Sequence, residues 1–257
     1  MSADATTPEV PEHTASVVVD ATGEDPAEAI ATAAGALREG RLVVAPTDTV
    51  YGVLADAFST TGTRRVFGAK RRSRRFPLPV LVRSQKQLPG LVTLVPETAE
   101  RLMAAYWPGP LTIVLPRDPN LLWDLGDDEG VVAVRMPLDE VTLALVRAVG
   151  PLACTSANLS GQAPATTVEN ARQQLGDQVA VYVDGGTRHG TPVSTVVDLT
   201  RAEPVVLRSG PLEDEEVLAV ARGELDPLEV VTGQAVTDVV APDPDDLRAD
   251  PPDEVTS

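Results

Sequence analysis

Four short stretches of this sequence concentrate hydroxyls, amides and cations beyond what packing requires. The densest is Lys70-Arg71-Arg72-Ser73-Arg74-Arg75, with five cations in six residues. Like charges this close repel one another unless an anion stands near, so the run reads as a phosphate site, a nucleic-acid patch or a solvated loop. Pro77 pushes the residues before it toward extended geometry, which sets Lys70, Arg72 and Arg74 on one face. Thr155-Ser156-Ala157-Asn158-Leu159-Ser160-Gly161 offers hydroxyl and amide donors that suit phosphate oxygens, and that equally suit a cap or turn.

The third stretch, Pro46-Thr47-Asp48-Thr49-Val50-Tyr51-Gly52, follows an apolar run at the position where α/β proteins carry ligand loops. Its two threonine hydroxyls and carboxylate can bind an amine or hydroxyl, or satisfy their own turn. The fourth feature is a pair of arginines. Arg135 closes VVAVR and Arg208 closes PVVLR. An arginine ending an apolar strand suits two-pronged carboxylate or phosphate binding, with a surface salt bridge as the alternative.

These stretches sit between alternating helix and strand signals. Asp25 with Pro26 and Glu28 starts a helix that Gly40 stops. Further helices are predicted at 61–69, 96–106, 139–149 and 167–175. Strands are predicted at 17–19, 42–45, 78–82, 111–115, 131–135, 179–183, 195–198 and 205–207. This interleaving makes one mixed α/β domain over 16–211. Residues 1–15 and the Pro- and Asp-rich end beyond 242 read as disordered, and 213–225 as a possible added helix.

Composition narrows the setting. One cysteine, Cys154, excludes an internal disulfide, and two histidines cannot build an all-His/Cys zinc site with it. No apolar run approaches the roughly 20 residues that span a bilayer, and the acidic, polar start is unlike a secretory signal. A cytoplasmic protein without a membrane partner is expected. The net charge of −17 is confined to the ends. Residues 1–25 hold six acids and no Lys or Arg, and 212–257 hold 14 acids against Arg222 and Arg248, which leaves +1 for the middle. A positive cleft is therefore compatible with an acidic chain.

Taken together and in order, the stretches resemble the YrdC/TsaC family of threonylcarbamoyl-AMP synthases. The resemblance runs through GRLVVAPTDTVYGV, Lys70-x-Arg72 with Pro77-Leu78, WPGPLTIVLP, VAVRMP, TSANLSG, STVVD at 194–198 and Leu207-Arg208-Ser209-Gly210, covering about 26–211. It implies a single YrdC-like domain over 16–211, a twisted, mixed, open α/β sheet with flanking helices around a concave positive cleft. An acidic extension (1–15) and a mostly disordered acidic tail (212–257) flank it, without the extra C-terminal domain of longer members. The chain departs from the family pattern at Leu54, Ser73 and Phe76.

The resemblance implies L-threonine, bicarbonate and ATP with Mg2+ as reactants, and threonylcarbamoyl-AMP and pyrophosphate as products. The adenylate would serve threonylcarbamoyladenosine formation in the tRNA anticodon loop, through downstream transfer proteins. Lys70, Arg72, Arg74, Ser156, Asn158, Thr166 and Arg208 would bind ATP, with Lys70 and Arg72 catalytic. Thr47, Arg135 and Ser194 would hold threonine. No protein nucleophile or metal ligand is implied. Two other readings share the fold: a non-catalytic module binding double-stranded RNA or the ribosome, with weak contact to tRNA or double-stranded RNA, and a carbamoyl-transfer domain like those of hydrogenase maturation proteins. The paucity of aromatics and the near-neutral middle weigh against a broad RNA surface.

Overall fold

The computed structural model describes residues 15–127, 129–189 and 192–233. Ten strands form one mixed sheet: β1 (Val17–Asp20), β2 (Val43–Ala45), β3 (Gly52–Asp56), β4 (Val80–Leu81), β5 (Leu111–Pro116), β6 (Val131–Arg135), β7 (Leu152–Ser156), β8 (Val181–Asp184), β9 (Thr195–Asp198) and β10 (Val205–Arg208). Their order across the sheet is β1-β8-β2-β3-β7-β4-β6-β5-β9-β10. β1 and β2 lie parallel to β8, whereas β3 runs antiparallel to both β2 and β7. The helices are α1 (Ala27–Arg38), α2 (Thr60–Lys70), α3 (Glu97–Tyr106), α4 (Glu140–Val149), α5 (Val168–Leu175), α6 (Asp214–Arg222) and α7 (Pro227–Gly233).

Side-chain alternation divides the core into two layers. Val43, Ala45 and Leu54 pack under α1 and α4, through Ala33, Leu37, Leu145 and Val146. Leu42, Val44, Val53, Leu111, Ile113 and Val134 point the other way, onto α2, α3, α5 and α6. Gly52, Leu81, Thr112, Arg135 and Cys154 line an open cleft instead. Leu81 and Cys154 belong to the α1/α4 layer, so the cleft occupies the part of that sheet face beyond those helices.

Local chemistry fixes the helix ends close to the expected positions. Asp25 Oδ1 accepts from Ala27 N at 3.0 Å, and Gly40 takes φ 67° after α1. Ser59, Asp139 and Thr167 cap α2, α4 and α5 through their side-chain oxygens. The 17–19, 42–45, 78–82, 111–115, 131–135, 179–183, 195–198 and 205–207 strands all appear. β3 and β7 are additions: the two central strands begin or end within stretches read as loops.

The helix expected over 213–225 is present and extends the packed fold past residue 211. α6 and α7 fold back on α3, burying Val217, Val220, Ala221 and Val230. Arg101 Nη2 donates to Ala221 O at 2.7 Å, and Tyr106 Oη to Glu216 Oε1 at 2.9 Å. The apolar side chains recur at helical spacing, while Asp214, Glu215 and Glu216 sit in the first turn, where the helix dipole favours acids. The helix expected over 213–225 thus appears as α6, with its acids in the first turn. The expected disorder of 1–14 and of the final Pro- and Asp-rich segment lies outside the described residues.

Candidate active site

The cleft has two lobes that meet at Ser156. The inner lobe, counted with its solvent-open mouth, has about 540 Å³ of empty space, lined by Thr47, Thr49, Thr112, Arg135, Ser194 and Arg208 over a floor of Gly52, Leu81 and Cys154. The outer lobe holds about 720 Å³ and is lined by Lys70, Arg72, Ser73, Phe76, Asn158 and Ser160 with Arg71 and Gly161.

In the inner lobe, Arg135 is buried and braced on three sides. Its Nε donates to Gly109 O at 3.0 Å, its Nη2 to Asp48 Oδ2 at 2.6 Å and its Nη1 to Thr49 Oγ1 at 3.4 Å. Asp48 Oδ1 accepts from Leu138 N at 3.0 Å. The carboxylate of the 46–52 stretch therefore serves Arg135 in this structure. Thr47 Oγ1 donates to Val50 O at 2.6 Å and lies 3.1 Å from Thr49 Oγ1, so it shapes the turn while lining the lobe.

On the opposite wall, Arg208 Nη2 donates to Ser194 O at 2.7 Å and to Ser194 Oγ at 3.1 Å. Ser194 Oγ in turn lies 2.8 Å from Thr112 Oγ1. Although Arg208 is exposed at the sheet edge, its guanidinium is tucked over Ser194. Loss of water around that group, and then the nearby charges of Arg135 and Arg72, lower its pKa.

In the outer lobe, Lys70 is 2% exposed at the end of α2. Its Nζ donates to Ser156 O, to Asn158 O at 2.7 Å and to Asn158 Oδ1 at 3.1 Å. All three ammonium protons thus hold the 155–161 loop. Burial, and then the charge of Arg72, push its pKa down from 10.5 to about 8. Arg72 Nε donates to Phe76 O at 2.9 Å and Nη2 to Pro77 O at 3.3 Å. Ser156 Oγ donates to Asn158 Oδ1 at 2.6 Å, completing the loop's internal bonding.

Two expected ATP ligands stand elsewhere. Arg74 does not share a face with Lys70 and Arg72. Arg71 turns left-handed (φ 51°) at the end of α2, which breaks the extended alternation expected of this run. Arg74 instead pairs with Asp124 and stacks 5.0 Å over Phe67. Asp124 also receives Arg64 Nε at 2.8 Å, so carboxylate, as well as pocket, offsets the cluster's repulsion. Thr166 lines neither lobe; its carbonyl accepts from Arg188 N at 2.8 Å.

Thr49, one of the two threonine hydroxyls of the 46–52 stretch, lines the inner lobe, as do Thr112 and Cys154, which had not been singled out as binding residues. Thr112 carried a signal, a polar side chain between buried Leu111 and Ile113 in a strand. Cys154 carried none beyond being the sole cysteine. Tyr51 belongs to the support of the site. Its hydroxyl donates to Gly186 O at 2.7 Å and accepts from Gly185 N at 3.0 Å, and burial raises its pKa to about 12. Among the described residues no group of three His, Cys, Asp or Glu side chains stands close enough to hold a metal ion. No described helix is long and apolar enough to cross a membrane.

The Sua5/YciO/YrdC family profile, described as Telomere recombination, matches residues 35–210. A relative from Mycobacterium tuberculosis (strain ATCC 25618 / H37Rv) is 48% identical over 197 residues, covering 77% of this chain and 91% of the relative. The threonylcarbamoyl-AMP synthase of Bacillus subtilis (strain 168) is 40% identical over 193 residues, covering 74% of this chain and 56% of the relative. The crystal structure of P. abyssi Sua5 complexed with L-threonine superposes with a TM-score of 0.76 at 39% identity, covering 80% of this chain and 61% of that one.

Proposed function

The chain belongs to the Sua5/YciO/YrdC family, and from that premise we infer that it makes threonylcarbamoyl-AMP from L-threonine, bicarbonate and ATP, releasing pyrophosphate. The observation that carries this reading is the convergence of Lys70, Arg72, Arg135 and Arg208 on two lobes joined at Ser156. Burial first, and neighbouring cations second, lower the pKa values of Lys70 and Arg208, and a cleft holding cations under such conditions suits two anionic reactants.

The inner lobe has the size and polarity for a small amino acid. Thr47, Arg135 and Ser194 are the proposed threonine contacts, and Thr112, bonded to Ser194, lines the same lobe. Lys70, Arg72, Ser156, Asn158 and Arg208 are the proposed nucleotide contacts. Lys70 serves first by holding the 155–161 loop and lending its charge. Arg74 and Thr166 are not carried into this assignment.

In the reaction, the threonine amine bonds to the carbon of CO2 and releases a proton, or to that of bicarbonate as a C–O bond breaks and water leaves, giving an N-carboxylate. A carboxylate oxygen then bonds to the α-phosphorus of ATP as the bond to the β-phosphate bridging oxygen breaks, and pyrophosphate leaves. No protein nucleophile enters. The chain's contribution is alignment, worth up to about 7–11 kcal/mol for ideally oriented groups, and offset of anionic repulsion. Mg2+ is proposed to arrive on the triphosphate as part of the substrate, since the cleft presents cations to the phosphates. Transfer of the product to tRNA by separate proteins, in the cytoplasm, is part of the same proposal.

The test is to supply ATP, Mg2+ and bicarbonate and follow pyrophosphate with and without L-threonine. Release that requires threonine is expected. Release that requires carbamoyl phosphate instead, or no release alongside RNA binding, overturns the assignment.

A further inference from the structure

Of the eight aromatic side chains, six are buried: Tyr51, Phe67, Tyr106, Trp107, Trp123 and Tyr182. Phe58 is exposed, but its ring packs edge-on against Trp123 with centroids 5.2 Å apart. Phe76 differs from all of them. It is 64% exposed, and the ring contact it makes among the described residues is with Arg72, whose Cζ lies 5.9 Å from the ring centroid. It also lines the outer lobe beside Lys70, Arg72, Ser156 and Asn158.

The main chain around this ring is tied down. Phe76 N donates to Ser73 O at 3.3 Å, and Phe76 O accepts from Arg72 Nε at 2.9 Å, which keeps the guanidinium beside residue 76. A ring that is 64% exposed, with one guanidinium beside it, keeps surface free for a second stacking partner. A flat, electron-delocalised partner that also carries phosphate meets both halves of this wall, stacking on the ring while its phosphates reach the cations. A nucleobase of a nucleoside triphosphate has that chemistry.

We propose that Phe76 is the stacking platform for the adenine base of ATP in the outer lobe. This rests on the synthase reading above and deepens it by assigning the base subsite. An RNA base is the other stacking partner of this chemistry. The observations favour the free nucleotide, because the ring lines the lobe that holds Lys70 and Asn158 rather than an open basic face. Stacking tolerates any base, so the platform supplies affinity more than choice among nucleotides.

The test uses the full chain and two readouts. ATP binding is measured by equilibrium dialysis, independent of turnover, for wild type, Phe76→Ala and Phe76→Trp. Binding of inorganic tripolyphosphate, which has no base, is measured in parallel. Loss of one stacked base weakens ATP binding of Phe76→Ala by about 5- to 150-fold, with tripolyphosphate binding unchanged and Phe76→Trp close to wild type. Unchanged ATP binding overturns the proposal, and if tRNA binding falls instead, the ring is an RNA contact. Parallel loss of ATP and tripolyphosphate also overturns it, because the ring would then merely support the loop. Failure of threonine-dependent pyrophosphate release in wild type, with the dialysis result intact, would count against the synthase reading alone.

Discussion

Asp48 grips Arg135 inside the cleft, with 2.6 Å between Oδ2 and Nη2 and both side chains about 10% exposed or less. A buried pair of this kind contributes little net stability, but removal of one partner leaves the other charge stranded, at a cost of about 3–5 kcal/mol. Asp48→Ala should lose stability on that scale in urea unfolding. Asp48→Asn keeps an acceptor for Leu138 N and removes the charge that orients Arg135. It should raise the KM for threonine about 10-fold with the KM for ATP nearly unchanged. Equal changes in both would show that Asp48 acts on the whole cleft rather than on Arg135.

Lys70 gives the cleft a pH dependence. Its pKa is down from 10.5 to about 8, by burial first and by Arg72 second. Between pH 8 and 10.5 the unfolded chain holds a proton that the folded one has shed, so stability from this group rises across that window. The phosphate-attracting charge disappears over the same range. kcat/KM for ATP should therefore fall above about pH 8 while urea resistance does not. Lys70→Arg, which does not titrate there, should lose that limb of the profile whatever its absolute rate. A wild-type limb that persists in Lys70→Arg would assign the titration to another group.

Arg74 separates charge from site. Its guanidinium is committed to Asp124 and stacked on Phe67, away from the outer lobe. Arg74→Ala should leave the KM for ATP within about twofold and cost at most about 1 kcal/mol, the scale of a partly exposed ion pair. A large rise in that KM would return Arg74 to the nucleotide.

The contrast between Lys70 and Arg74 shows where sequence reasoning stops. Strands with alternating or bounded apolar runs, such as Val131–Arg135 and Thr195–Asp198, were legible to the residue, and the helix starts expected at Asp139 and Thr167 to within one position, whereas Ser59 was not read as the cap of α2. Lys70, Arg72, Ser156, Asn158, Thr47, Arg135 and Arg208 stood out as polar stretches or strand-end arginines that a turn, solvated loop or salt bridge would equally explain, and Ser194 came from the family resemblance alone. Arg74's position away from them was not legible, because its partner Asp124 lies 50 positions away and the left-handed Arg71 reverses the local face. β3 and β7 were not legible because GVLAD and LACTS are central strands packed on both faces, without the period-two pattern of a half-exposed strand.

Gly52 and Cys154 set the floor of the inner lobe and can be tested as a pair. They lie on adjacent antiparallel strands, and a Cβ placed on Gly52 would come 2.8 Å from Cys154 Sγ. Gly52→Ala must therefore displace the thiol, and overpacking of this kind costs about 1–3 kcal/mol. Cys154→Ala removes the obstruction at the price of a small cavity. The double variant Gly52→Ala/Cys154→Ala should recover part of the loss, with a coupling of about 0.5–3 kcal/mol in a urea double-mutant cycle. The added methyl also reaches into the lobe proposed for threonine, so Gly52→Ala should raise the KM for threonine while that for ATP stays near wild type. Burial pushes the Cys154 thiol up to about 12, so alkylation of the native protein should be slow at pH 8 and fast in urea. Strictly additive single and double variants would mean that the two residues do not meet on the lobe floor.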